Sequence, residues 1–192
     1  STHPWWPEIC ALTVYKATLD NPTIKRVALI ASDSSSGRQG NAWAKMGAQA
    51  AGAQAVYEDY YPLDIVDWHP MLSKALAAKP DLIWLCEMGV VFTGPVMEVA
   101  KELGYKGKWA CWNWNVEKTA ERVPLDYVQG AYACMTDYND AAIAGDRLAW
   151  LWSEYQKRWP GEWQADAAAS FLVFNAWEAG VKAANSVEPK KV

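Results

Sequence analysis

Short apolar or β-branched runs alternate along this chain with longer runs of helical period. Residues 7–20 place Ile9, Leu12, Tyr15 and Leu19 on one helical face, closed by Asn21-Pro22. Residues 25–32, KRVALIAS, form a short apolar strand that ends in a polar, glycine-containing loop, DSSSGRQG. From Gln39 the pattern predicts a helix with Ala42, Trp43, Met46 and Ala50 turned inward and Gly52 as its stop. Residues 53–61 are a second strand, and Pro62-Leu63-Asp64 opens a helix with Ile65, Trp68, Leu72, Ala75 and Leu76 on one side, ended by Lys79-Pro80. Residues 81–88, DLIWLCEM, make a third strand whose apolar run is almost unbroken, as expected when helices cover both faces of a sheet. Phe92, Val96, Val99, Ala100 and Leu103 mark the next helix, which Gly104 ends. KWACWNW (residues 108–114) is the fourth strand, residues 117–122 a short helical piece, and VQGAYACMTD (residues 128–137) the fifth strand. Two helices follow, one with Leu148, Leu151, Trp152, Tyr155 and Trp159 on a face, the other over residues 166–185 and apolar nearly all round its first half.

Strands separated by helices in this way make repeated βαβ units with right-handed crossovers. The expected architecture is α/β: a three-layer, doubly wound parallel sheet of about five strands in a single lobe over residues 1–192, with helices at its C-terminal end. The tail SVEPKKV is polar and reads as a connection to a further segment.

Composition narrows the function. At 192 residues and 52% hydrophobic content the chain can close a core. The net charge of −4 comes from 18 basic and 22 acidic side chains that are interspersed, so no basic stripe is offered to nucleic acid. The richest apolar stretch, residues 165–176, is broken by Asp166, Ser170 and Asn175 and falls short of a bilayer span. Cys10, Cys86, Cys111 and Cys134 show neither a CxxC pair nor metal-ligand spacing, and three lie inside apolar strand-like runs, which reads as buried free thiols.

In an open α/β sheet, ligands bind beyond the carboxyl ends of the strands, where the strand order reverses. That rule selects residues 33–37, the Tyr61-Pro62 turn, and residues 87–90, 112–115 and 136–139. Among them CWNWN (residues 111–115) stands out in a chain with 13 Trp and only 3 Phe. The period of two along a strand puts Trp109 and Cys111 on one face, and Trp112 and Trp114 on the other if the strand extends that far. Trp109 reads as core. Trp112 and Trp114, each followed by an asparagine, read either as packing or, with Asn113, as an apolar wall carrying amide groups. Ser34, Ser35 and Ser36 precede a helix, where a serine serves as N-cap or gives a ligand hydrogen bond. Glu87 follows an apolar strand, as a solvated rim residue or as a carboxylate facing a cationic or hydroxyl-bearing ligand beside Trp rings. Neither a GxxxxGK[ST] loop nor a GxGxxG fingerprint is present, and no cofactor is expected. His3 and His69 stand in no nucleophile arrangement, so an enzyme is not expected either.

Several phrases in this order, KRVALIASDSSSGRQG, EDYYPLDIVDWHPMLSKALAAKPDLIWL, AKELGYKGKW and LVFNAWEAGVKAANSVEPKKV, resemble a known family. They are similar to the solute-binding proteins of ABC transporters of the branched-chain amino acid (Leu/Ile/Val) type, which have the type I periplasmic binding fold. The resemblance runs from about Pro7 to the end, with Tyr61-Pro62-Leu63-Asp64 and Lys79-Pro80-Asp81 as its most specific combination. It implies two lobes closing on a small-molecule ligand, of which this chain is the second, so that the missing N-terminal lobe and a membrane permease are the expected partners. The implied location is periplasmic or otherwise extracytoplasmic.

Family contacts map here onto Ser36, where amino-acid binders carry an aromatic residue before the first loop glycine, and, after the third strand, onto the stretch from Glu87 to Gly89, without the expected aromatic. The ammonium-binding glutamate after the fourth strand falls in residues 112–115, which contain no acid. The resemblance thus implies an aromatic or otherwise apolar solute rather than an ordinary amino acid, held by Ser34, Ser36, Glu87, Met88, Trp112, Asn113 and Trp114. The alternatives are a ligand-sensing domain of a receptor or regulator and, further off, a flavodoxin-like enzyme.

Overall fold

A computed structural model describes residues 6–88, 90–112, 114, 116–134, 145–163, 165–188 and 190. They fall into two compact units, one holding a sheet with its helices and one holding two C-terminal helices.

The first unit runs α1 (Trp6–Asp20), β1 (Arg26–Ser32), α2 (Ser35–Ala50), β2 (Gln54–Tyr61), α3 (His69–Ala77), β3 (Leu82–Cys86), α4 (Val90–Glu102), β4 (Lys108–Trp112), α5 (Val116–Ala120), a 3-10 turn (Leu125–Val128) and β5 (Tyr132–Cys134). Every strand pair is parallel and the order is β2-β1-β3-β4-β5, the doubly wound α/β sheet the alternation implies. The sheet starts at β1, one strand in from the edge, goes outward to β2, then crosses back to β3 and continues the other way. The strand order reverses between β1 and β3.

The period of two divides the core. Val27, Leu29 and Ala31 of β1 join Leu82, Trp84 and Cys86 of β3 in one apolar cluster with Cys10 and Val14 of α1 and Ala44 and Ala48 of α2. Ala28, Ile30, Ile83, Leu85, Trp109 and Cys111 alternate with them and face Leu72 and Ala75 of α3 and Val96, Met97 and Ala100 of α4. Strands with both faces covered need apolar residues at successive positions, and all five residues of β3 are buried.

Four elements differ from their sequence reading. Helix α2 starts at Ser35, four residues before Gln39, because Ser34 caps it by accepting from the Gly37 N–H at 2.8 Å. Its buried face is Gly37, Gly40, Asn41, Ala44, Gly47 and Ala48, whereas Met46 is 56% exposed and Ala42 and Ala50 point to solvent. The cause is α1, which lies so close that a Cβ on Gly47 would collide with the Ala11 carbonyl oxygen; small residues, not large apolar ones, define this face. Helix α3 begins at His69, after an irregular stretch over residues 62–68, with Pro70 in its first turn. Strand β4 ends at Trp112, so the strand alternation does not extend to Trp114. Of the predicted fifth strand, residues 132–134 are extended; residues 135–137 lie outside the described residues.

The second unit contains α6 (Asp146–Arg158) and α7 (Ala165–Ala184). Arg147 on α6 donates to the Asn175 Oδ1 of α7 at 2.6 Å and stands 5.5 Å over the Phe171 ring, and Trp150 lies 6.4 Å from the same ring. Leu172, Val173, Phe174 and Trp177 on α7 are exposed. Among the described residues no helix is long and apolar enough to cross a membrane.

Candidate functional site

The carboxyl ends of β1 and β3, where the strand order reverses, carry Ser32, Asp33 and Ser34 on one side and Glu87 on the other. They are joined through one carboxylate oxygen. The hydroxyls of Ser32 and Ser34 both donate to Glu87 Oε2, at 2.6 and 2.7 Å. Ser36 Oγ lies 3.2 Å from Ser34 Oγ, which also receives the Gly37 N–H. Glycine at 37 is required by this crowding, since a Cβ there would collide with the Ser32 carbonyl oxygen.

Glu87 is half-buried and has φ 53°, a left-handed conformation that costs a non-glycine residue about 1 kcal/mol or more. Tyr61, the last residue of β2, holds it there: its hydroxyl donates to the Glu87 carbonyl oxygen at 2.6 Å. The Tyr61 ring is buried edge-on against Trp68 and Phe92, with centroids 5.1 and 5.7 Å away, and Asp33 N–H donates to the Tyr61 carbonyl at 2.8 Å. Burial raises the phenol, which therefore stays a proton donor. For Glu87, burial alone would raise the carboxyl, but the polar hydrogens of Ser32, Ser36, Ser34 and the Gly37 N–H around it outweigh burial and hold the group below the ordinary carboxylate range. The group is ionised at neutral pH, and among the described residues it forms no ion pair with a lysine or arginine. Arg38, on the same helix turn, pairs with Asp33 and stacks 4.3 Å over Tyr60.

The remaining site residues separate by depth. Trp112, at the carboxyl end of β4, is partly buried against the α1–α2 face. Trp114 lies in the opposite cluster, with Trp109 and Cys111; it is only 7% exposed and its indole N–H donates to Thr119 Oγ1 at 2.7 Å. Trp112 and Trp114 therefore do not share a face, because β4 stops between them. Met88 is 1% exposed and its carbonyl accepts from Thr93 Oγ1 at 3.1 Å. Trp109 is buried core. Asn113 and the stretch at residues 136–139 lie outside the described residues.

Two further residues organise this corner: Ser32, which the pattern does not single out, and Tyr61, which it marks only as part of the Tyr61-Pro62 turn. Each closes an otherwise extended run, and a hydroxyl-bearing residue at the last position of a strand is the signal that marks them. The cysteines are free: Cys10 and Cys86 share the α1 face, Cys111 lies on the other, and Cys134 is half-buried. Among the described residues no group of three or more His, Cys, Asp and Glu is arranged to hold a metal ion. His69 is exposed between Asp67 (2.8 Å) and Glu102 (3.3 Å).

With this geometry in place, comparison with known proteins is informative. A family model described as "Periplasmic binding protein" matches residues 7–192. No curated protein matches the chain significantly in sequence. Among solved structures, an extracellular ligand-binding receptor from Rhodopseudomonas palustris HaA2 superposes with a TM-score of 0.80 at 18% identity, over 98% of this chain and 54% of its own. A solute-binding protein of an ABC transporter from R. palustris, solved in complex with benzoate, gives 0.77 at 14% identity, over 96% and 50%. A leucine-binding protein from Thermotoga maritima MSB8 gives 0.71 at 18%, over 97% and 52%. The chain shares their fold and spans about half the length of each.

Proposed function

The chain belongs to the periplasmic binding protein family, and from that premise we propose that it supplies one lobe of an extracytoplasmic solute-binding protein, which captures a small organic molecule and delivers it to the membrane permease of an ABC transporter. The observation that carries this reading is the coincidence of the family match over residues 7–192 with a polar cluster, Ser32, Ser34 and Glu87, at the one place where the strand order reverses. That the chain spans about half of its structural neighbours supports the assignment of a single lobe facing a second one across the ligand. No chemistry is required of the site; closure of two lobes retains the solute.

In this lobe Ser34, Ser36, Glu87 and Trp112 are the residues that meet the solute. Met88 and Trp114 are both buried in the cluster under α3 and α4. The half-buried indole of Trp112 suits the apolar body of a ligand, and the benzoate held by one structural neighbour supports an aromatic solute. A sensory role would use the same site and differ in the partner that reads closure.

The test is a panel of small aromatic and aliphatic solutes followed by Trp fluorescence. A binder is expected to lose about tenfold in affinity, about 1.4 kcal/mol, on Trp112→Ala. Unchanged affinity removes Trp112 from the site.

A further inference from the structure

We propose that Glu87 is the resident anion of this lobe and fixes its specificity: the solute presents a hydroxyl or ammonium donor here, and not a carboxylate. The inference rests on the solute-binding reading above and narrows the ligand it allows.

The N-terminus of α2, a 16-residue helix, is where an anionic ligand group would ordinarily be received. Here the nearest hydroxyls already serve a carboxylate of the chain itself. The Ser32 and Ser34 hydroxyls both give their protons to Glu87 Oε2, and the Gly37 N–H is given to Ser34 Oγ. A second carboxylate would find these donors spent and a fixed negative charge beside it. A hydroxyl or ammonium group instead finds an ionised acceptor that no lysine or arginine neutralises among the described residues. Tyr61 is the positioning residue, since its hydroxyl holds the Glu87 main chain at φ 53°. Glu87 is half-exposed, so a solute can reach it, and Trp112 closes the adjacent strand as a surface for a ring.

Three probes of similar size separate the outcomes: benzylammonium, benzyl alcohol and benzoate, titrated into the chain and into Glu87→Gln, with Trp indole signals observed by NMR. Benzylammonium and benzyl alcohol are expected to bind at least about tenfold more tightly than benzoate, and Glu87→Gln is expected to erase that order. The neutral alcohol controls for general attraction of a cation to a chain of net charge −4. Ser32→Ala, which strips the carboxylate of one donor, keeps the test available if Glu87→Gln does not fold; it is expected to tighten benzylammonium and leave benzoate excluded. Equal binding of benzoate, or a preference that survives Glu87→Gln, overturns the specificity role while leaving the lobe reading intact. Binding of none of the three overturns both.

Discussion

The Tyr61 hydroxyl donates to the main-chain carbonyl of Glu87 at 2.6 Å, tying the end of β2 to the end of β3 past the intervening β1. Tyr61→Phe keeps the ring contacts to Trp68 and Phe92 and removes only this bond, so it should cost about 1 kcal/mol. Tyr61→Ala also empties a buried ring site and should cost about 3–5 kcal/mol. Urea unfolding measures both, and a neutral Tyr61→Phe would show that the Glu87 loop is held by something else.

Glu87 gives the fold an acid-sensitive component. Its carboxyl is held below the ordinary value of 4.5, so the stabilisation is complete above that value and is lost as the pH falls through the lower value in the folded state. Between about pH 6 and about pH 3 the stability advantage of the native chain over Glu87→Gln should therefore shrink. A gap that stays constant across this range would contradict the hydrogen-bonded, ionised state of the group.

Close approach of α1 and α2 depends on Gly47. Gly47→Ala forces the helices apart and should destabilise by about 1–3 kcal/mol, whereas Gln49→Ala on the exposed face of the same helix should change stability by less than about 0.5 kcal/mol. Equal effects would mean that the helix contact tolerates a methyl group.

The four thiols should react unequally. Cys134 is half-buried and burial pushes its thiol up to about 11, so a thiol reagent should modify it slowly, and faster as the pH rises. Cys10, Cys86 and Cys111 are buried and should react only on unfolding. Rapid labelling of Cys111 in the native chain would contradict its place beneath α3 and α4.

Strand periodicity made the sheet legible, because a strand covered on both faces must be apolar at successive positions, as residues 82–86 are. Helix α2 was misread at its start and on its buried face, because capping and close packing select serine and glycine rather than large apolar residues. The candidate site was legible as a place from the strand-end rule, which led to the corner where Ser34 and Glu87 stand in hydrogen-bond contact. Ser32 escaped notice, and Tyr61 was marked by its turn but given no role, because their roles arise from strand order, which brings the ends of β1, β2 and β3 together, and one-dimensional spacing does not carry that order. Trp114 could not be assigned to a face by counting, because the alternation ends where β4 ends.

The central claim is that solute binds at the carboxyl ends of β1, β3 and β4. Titration of the isotopically labelled chain with benzyl alcohol, followed residue by residue by NMR, tests it most directly. One wall of a two-walled site leaves much of the ligand in water, so affinity should be about millimolar, about 4 kcal/mol, with shifts centred on Ser34, Ser36, Glu87 and the Trp112 indole. Shifts centred instead on the amino ends of the strands, at Arg26, Leu82 and Lys108, would contradict it.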